Sequence, residues 1–404
     1  MLTQKRDLRT GTPVWAAERK PPVAHASLDG NLDTDVLIVG AGISGALLAE
    51  SLTEAALDVV VVDRRSPMAG STSASTALLQ HALDTPLSEL GRSLGQQAAD
   101  RVWRRSRLVV AALAERTARL GIEAELAPRD ALYLAGDTLD ARGLEREAKA
   151  RRSIGLDVEL LGRRELLERY GIRRSAGLLG SGDFVADPRK LTAGYLAAAG
   201  ARGARVFAPV EIQGVKENTR GVVASTTAGF RIRARHAVFA TGYEVVEGIQ
   251  AKGHSIQSTW VIATRPQRRK LWPSECMIWE ASAPYLYLRT TGDGRVICGG
   301  ADEPFSSAER RDSLSRRKFA LLQRRLSSMF PALDTTPDFA WAGTFGSSET
   351  GTPIIGRLPG KRRLYAVLGC GGNGVTFSML AAQLLRNLIA GDGDRDAAWF
   401  APRR

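Results

Sequence analysis

Cysteine is nearly absent from this chain of 404 residues: Cys276, Cys298 and Cys370 stand far apart, odd in number and with no CxxC spacing. That excludes a disulfide framework, a thiolate zinc site and a dithiol redox centre, so any redox chemistry must come from a bound cofactor. Long hydrophobic runs are missing as well. The apolar stretches, such as Val59 to Val62, are closed by charges or glycine and fall far short of the roughly 20 residues a membrane span needs. No integral membrane segment is expected. The opening MLTQKRDLRTGTP has neither an apolar core nor a small-residue cleavage site, so a secretory signal is not expected and a cytoplasmic location is. No internal repeat, catalytic triad or metal-ligand cluster is evident.

Negative charge is in deficit, and the formal net charge is +13. The excess sits in scattered clusters such as Arg268-Arg269-Lys270, Arg316-Arg317-Lys318 and Lys361-Arg362-Arg363. No RNA- or DNA-binding module accompanies them, so they read as solvated surface and no nucleic-acid partner is expected. The remainder is ordinary: 44% hydrophobic and 25% charged residues describe a folded protein, long enough for two domains or one large composite one.

Residues 1–33 are polar, with Pro21-Pro22 and an isolated Trp15, and read as an irregular arm that packs its Trp on the body. Regular structure is expected from Asp35. Val36-Leu37-Ile38-Val39 reads as a buried parallel strand, Gly40 to Gly45 as a tight turn, and Ile43 to Ala56 as a helix with Ile43, Leu47, Leu48 and Leu52 inward. Val59 to Val62, ending at Asp63, completes a βαβ unit. Leu87 to Leu120 reads as a pair of surface helices, with Val102, Val109, Leu113 and Leu120 opposite Arg101, Arg104, Arg105 and Arg107. A helix over 189–203 precedes a strand from Arg205, a β-meander over Gly221 to Arg233, and a buried strand over His236 to Ala240. Segment 256–301, rich in Trp, Tyr, Val and Ile, reads as antiparallel sheet. One amphipathic helix ends near Pro331, and a last one runs from Val375 to Ala390.

The expected fold class is α/β, in a two-domain α+β arrangement: a Rossmann-type dinucleotide-binding domain with a β-rich substrate domain. The expected division is an arm over 1–32, a discontinuous cofactor domain over 33–82, 153–245 and 347–404, and a substrate domain over 83–152 and 246–346.

The strongest motif is Gly40-Ala41-Gly42-Ile43-Ser44-Gly45 between a strand and a helix, with Asp63 18 residues after Gly45. Gly40 makes the turn, Gly42 lets the backbone approach a pyrophosphate, and Gly45 lets helix and sheet pack closely. The helix N-terminus offers N–H groups and a positive dipole to the phosphates, and Asp63 can accept from adenosine ribose hydroxyls. NAD and FAD both use this unit. The small and hydroxyl residues Gly70 to Ala77 suit close approach of a large flat cofactor, with a flexible Ser/Thr loop as the alternative. Two further glycine turns, Ala240-Thr241-Gly242 and Gly369 to Thr376, are placed to bring backbone N–H groups to one extended ligand.

With Asp187-Pro188 and Gly351-Thr352-Pro353-Ile354-Ile355-Gly356, these elements resemble the D-amino-acid oxidase superfamily of FAD-dependent oxidoreductases, the group of glycine oxidase, sarcosine oxidase, D-amino-acid dehydrogenase and gamma-glutamylputrescine oxidoreductase. The resemblance spans nearly all of Asp35 to Ala390. It implies FAD, with Gly40, Gly42, Ile43, Ser44 and Gly45 at the pyrophosphate and Asp63, Arg64 and Arg65 at the adenosine end. Ser71, Thr72, Ala74, Ser75 and Thr76 would lie along the ribityl chain or ring, Val210 by the adenine, and Thr241 and Gly242 near the pyrophosphate. Gly371, Gly372, Asn373, Gly374, Val375 and Thr376 would meet the pyrimidine edge of the flavin. Residues 341–350 contain no Cys where some members attach their flavin, so noncovalent FAD is expected.

The implied reaction is oxidation of a small amine or amino acid by hydride transfer to flavin N5, the imine product then being hydrolysed. The expected substrate-side residues are Tyr287 and Arg289, which share one face of a strand, an Arg fork being suited to a carboxylate; a surface Arg beside a packed Tyr is the alternative. Gln80 and His81 are candidates to reach flavin or substrate. The oxygen-activating Lys of some relatives has no clear counterpart, Arg295 or Val296 standing near that place, so the electron acceptor is left open between oxygen and an unknown carrier. Two alternatives remain: a noncatalytic FAD-binding or assembly protein, and a flavin-dependent hydroxylase-type enzyme, whose GD motif near residue 300 is missing. A disulfide reductase would need a second GxGxxG and a CxxC.

Overall fold

The computed structural model describes Thr3, residues 5–244, Val246 and residues 254–402. Two sheets, one of eight strands and one of ten, organise them into a mixed α/β fold. Leu32–Val39 is the axis of the smaller sheet. Val59–Val62 and Arg231–Phe239 flank it in parallel, Arg205–Phe207 and Leu364–Leu368 lie parallel beyond them, and Ile354–Arg357 closes one edge antiparallel. Residues 36–39, Val59–Val62 and Leu364–Leu368 are apolar without alternation because both faces are covered. Val36, Ile38, Val59 and Val61 join the core built with helices Ile43–Glu54, Pro188–Ala201 and Gly374–Ala390. Leu37, Val60 and Val62 join a separate core under the antiparallel pair Ile212–Glu217 and Val222–Thr226.

The larger sheet runs in the order Arg9–Thr12, Pro337–Ser348, His254–Thr264, Val296–Glu303, Leu286–Thr290, Met277–Glu280, Ala127–Leu134, Ala176–Val185, Leu78–Leu79, with Val158–Gly162 also paired to Ala176–Val185. Its side chains alternate between faces, as the pleat requires. Trp260, Ile262, Leu286 and Leu288 pack on helix Ala308–Met329 through Leu322 and Leu326. Thr259, Val261, Tyr285 and Tyr287 therefore point the other way, into a cavity.

Three expectations need correction. The arm is irregular over most of its length and packs Trp15 on the body, as expected, but it is also fastened by pairing: Arg9–Thr12 runs antiparallel to Pro337–Ser348 at the sheet edge, and Ala26 bridges to Phe207. A strand of four residues whose partner lies more than 300 positions away leaves no periodic signal. The helices expected over 87–120 are Leu87–Leu94 and Gln96–Arg119, split at Gly95, and the second is no surface helix, since Trp103, Val109 and Leu113 are fully buried where it packs on Gly374–Ala390. Val158–Gly162 and Ala176–Val185, expected in the cofactor half, belong to the larger sheet. The domain boundary expected at 245–246 falls at Val245, outside the described residues. Among the described residues, no helix is long and apolar enough to cross a membrane.

Candidate active site

The first glycine turn is shaped by close packing. Gly40 has φ +118°, and a Cβ there would lie 2.3 Å from the Ala240 carbonyl oxygen, a conformation and a spacing that only glycine tolerates. A Cβ at Gly45 would lie 1.9 Å from the Gly40 oxygen, so Gly45 is what lets helix Ile43–Glu54 sit against its strand. That helix has no side-chain cap and no acid in its first turn, so its positive end is left for a ligand. Thr72 Oγ1 accepts from the Ile43 N–H at 3.1 Å and ties the small-residue loop to this turn. Asp63 accepts from the Ala41 and Arg65 N–H groups, each at 2.8 Å; burial raises its pKa while those two bonds oppose the rise. Arg65 grips Glu244 through both carboxylate oxygens, at 2.8 and 2.7 Å, and Arg64 pairs with Glu244 and Glu211. Burial would raise Glu244, but the bonds from Arg65 and Arg64 outweigh it and hold the carboxyl low.

The small-residue loop is held by donors acting on its carbonyls. Trp341 Nε1 donates to the Ala74 oxygen at 2.9 Å, Trp15 Nε1 to the Ser75 oxygen at 2.8 Å, and Arg289 Nη1 to the Thr76 and Ala77 oxygens, each at 3.0 Å. Arg289 also donates to Ala186 and Thr290. It is 3% exposed and does not line the cavity, so it stands on the face of Tyr287 as expected yet binds main chain, where a substrate clamp was anticipated. His81 is likewise engaged: its N–H and its Nδ1 both meet Asp183 Oδ1, at 2.8 and 2.7 Å, and it too is absent from the lining. Of the three expected substrate-side residues, Tyr287 alone faces the cavity.

The last glycine turn meets the same cavity. Gly371, Gly372, Gly374 and Val375 line it together with Gly40, Gly42, Ile43, Ser44 and Ser71 to Ser75, apart from Ser73. Thr76, Val210, Thr241 and Gly242 line it as well. Gly45, Asn373 and Thr376 do not. Asn373 Nδ2 donates to Ala82 O at 2.7 Å and Thr376 Oγ1 to Gln80 O at 3.1 Å, so these two residues hold the segment that carries Gln80 and Asp84 into the wall. Ser44 and Ser378 hydroxyls, 2.7 Å apart, join the two helices whose N-termini meet here. Asp84, exposed to the cavity that it lines, accepts at Oδ2 from the Gly372 N–H at 3.0 Å.

Opposite stand Trp279, Tyr285, Tyr287 and Phe345. Trp279 stacks on Tyr133 at 3.9 Å and lies across from Tyr287 in the register. Burial drives the Tyr285 and Tyr287 phenols well above their usual range, so both remain protonated donors. Behind them, the Asp302 carboxyl faces the hydroxyls of Thr259 and Tyr285 and is pushed up to about 6, chiefly by burial; neither of its oxygens completes a hydrogen bond.

The empty space of the cavity, its open mouth to solvent included, is about 1900 Å³. Four polar atoms of its uncharged lining side chains, Ser71 Oγ, Gln80 Oε1, Thr241 Oγ1 and Thr259 Oγ1, are buried without a hydrogen-bond partner. Buried polar atoms are rarely left so unless a ligand satisfies them. With two uncapped helix N-termini and a glycine cradle beside them, the residues fit a dinucleotide cofactor. Sequence reasoning missed Asp84, Glu244, Trp279, Tyr285 and Phe345. Tyr285 was accessible to the two-residue argument applied to Tyr287; the others carry no local signal, because tertiary packing alone brings them here.

A family model described as FAD dependent oxidoreductase matches residues 35–388. The gamma-glutamylputrescine oxidoreductase of Escherichia coli (strain K12) is 26% identical over 391 residues, spanning 94% of this chain and 89% of that protein. The glycine oxidase of Geobacillus kaustophilus (strain HTA426) is 25% identical over 375 residues, spanning 88% of this chain and 92% of that protein. The crystal structure of glycine oxidase from Geobacillus kaustophilus superposes with a TM-score of 0.76 at 23% identity, covering 93% of this chain and 99% of that one.

Proposed function

The chain belongs to the FAD dependent oxidoreductase family, and from that premise we propose that it oxidises the carbon–nitrogen bond of a small amine or amino acid. The carrying observation is convergence: glycine turns from both ends of the chain and the clamped loop 71–76 line one cavity with unpartnered hydroxyls, and an aromatic wall completes it. FAD, when bound, would supply the two-electron acceptor for this oxidation, whose imine product water would hydrolyse.

The residues of the chain supply position and electrostatics. Gly40, Gly42 and the helix end at Ile43 would hold the pyrophosphate, and Asp63 the ribose hydroxyls, with Val210 beside the adenine. The N-terminus of Gly374–Ala390 would favour negative charge on the cofactor ring. Trp279, Tyr285 and Tyr287 would exclude water and orient the substrate, their phenols donating rather than removing protons. Cys370 lines the cavity, and burial pushes its thiol up to about 12, so it stays neutral; noncovalent FAD remains the reading because residues 341–350 hold no Cys.

The test is spectroscopic. Purified protein should be yellow, should release its flavin on denaturation, and should bleach anaerobically when amines or amino acids are added. Bound flavin that dithionite reduces while the whole amine and amino-acid panel leaves it yellow would mean a structural cofactor and end this reading. Reoxidation of the bleached protein by oxygen against a dye then identifies the type of acceptor.

A further inference from the structure

The charges that line the cavity narrow the substrate, on the premise of amine or amino-acid oxidation. Among the described residues these charges are Asp63, Arg64, Arg65, Asp84, Glu211 and Glu244. Both cations belong to one cluster: Arg64 and Arg65 are paired with Glu244 and Glu211 beside Asp63, at the Rossmann turn. Near the aromatic wall, the lining charge is Asp84. Asp84 is held at the Gly372 turn and lines one cavity with Tyr285, and the Asp302 carboxyl faces the Tyr285 hydroxyl from behind.

Each nearby cation is engaged elsewhere. Lys318 donates to the Ala301 carbonyl and pairs with Glu303, both at 2.7 Å, over the Trp260 ring on the outer face of the sheet. Arg289 is bound to main-chain carbonyls. A carboxylate entering this chamber would meet no described cation and would approach Asp84. An incoming N–H group meets acceptors: Asp84, and Gln80, which is 8% exposed and whose Oε1 has no partner.

We propose that the substrate is a primary or secondary amine with no carboxylate on its reacting carbon, and that Asp84 is the specificity-determining residue, drawing in the ammonium form, which loses a proton to solvent at the open mouth before the neutral amine is oxidised, while Gln80 Oε1 accepts from an N–H. A substrate carboxylate brought up to Asp84 meets like charge, which should disfavour the amino-acid counterpart by about 100-fold.

The experiment uses the FAD-loaded protein and measures anaerobic flavin reduction with matched pairs: phenethylamine against each enantiomer of phenylalanine, butylamine against norvaline, and putrescine against ornithine. Amines that bleach the flavin about 100-fold faster than their carboxylated partners support the proposal. Amino acids that react as fast or faster overturn it while leaving the oxidation reading intact. If neither class bleaches a flavin that dithionite reduces, the oxidation reading falls and takes this inference with it.

Asp84→Asn keeps an acceptor for the Gly372 N–H, so its flavin spectrum should persist. It should raise KM for the reactive amine about tenfold or more, with a much smaller change in kcat, and narrow the gap to the amino acid. An unchanged KM would remove Asp84 from the role.

Discussion

Arg289 shows how a charged residue can serve a site without touching what the site binds. One guanidinium nitrogen donates to three carbonyls, two of them in the loop that lines the cavity, and Trp15 and Trp341 hold the two preceding carbonyls. Hydrogen bonds from a charged donor are each worth about 1.5–3 kcal/mol. Arg289→Met should therefore weaken FAD binding by roughly 10- to 100-fold, with Arg289→Lys intermediate, as titration of the apoprotein with FAD will measure. If Arg289 instead held a substrate carboxylate, FAD affinity would be unchanged and only KM would rise. Asp302 illustrates the opposite case, a carboxyl whose surroundings disfavour its charge. Its folded pKa of about 6 lies above the ordinary value of 3.8, so the folded state holds the proton more tightly and stability falls as pH rises from about 4 to about 6. A shift of about two units corresponds to at most roughly 3 kcal/mol. Asp302→Asn should thus stabilise the protein at pH 8 by about 1–2 kcal/mol and confer no gain below pH 4, in urea unfolding compared at the two pH values.

At the scale of elements, the edge strand Arg9–Thr12 fastens the arm to the sheet that walls the cavity, and so places Trp15 against the loop. Gly11 sits in that strand at φ +79°, where a Cβ would lie 2.4 Å from the Ala340 oxygen. Gly11→Val cannot keep this pairing. It should free the arm to protease at a concentration that spares the wild type, and lower FAD affinity about tenfold through loss of the Trp15 bond. An arm that remains protected would show that Ala26 and Trp15 fasten it without the strand. The helices at the cavity behave in a related way: Ile43–Glu54 follows Gly42 and Gly374–Ala390 begins on glycine, and neither has an acid in its first turn, so their positive ends stay available.

For the whole molecule, the cavity is bounded by residues from both sheets, Val39 and Val367 in one and Thr259, Tyr287 and Phe345 in the other. A ligand that fills it binds the folded state alone, since the unfolded chain has no such surface. At a hundredfold excess over its Kd, FAD should add about 2.7 kcal/mol to unfolding and raise Tm by several degrees in calorimetry of apo and loaded protein. An unchanged Tm would mean that FAD does not bind the cavity.

The dinucleotide turn was legible in sequence because its requirements are local: a positive φ at Gly40, a close approach at Gly45 and a helix that starts at Ile43 all concern residues within a few positions. The buried strands Val36–Val39 and Val59–Val62 were legible for the same reason, apolar runs being bounded by turns. Tertiary structure decided whatever depends on partners far along the chain. Tyr287 and Arg289 share a strand face by their spacing, yet one opens on the cavity and the other lies beneath the loop 74–77, because it is the packing of that loop that separates them. Asp84 has no local signature, and its position comes from the Gly372 turn, 288 residues away. Spacing determines which face a side chain takes; long-range contacts determine what it meets there.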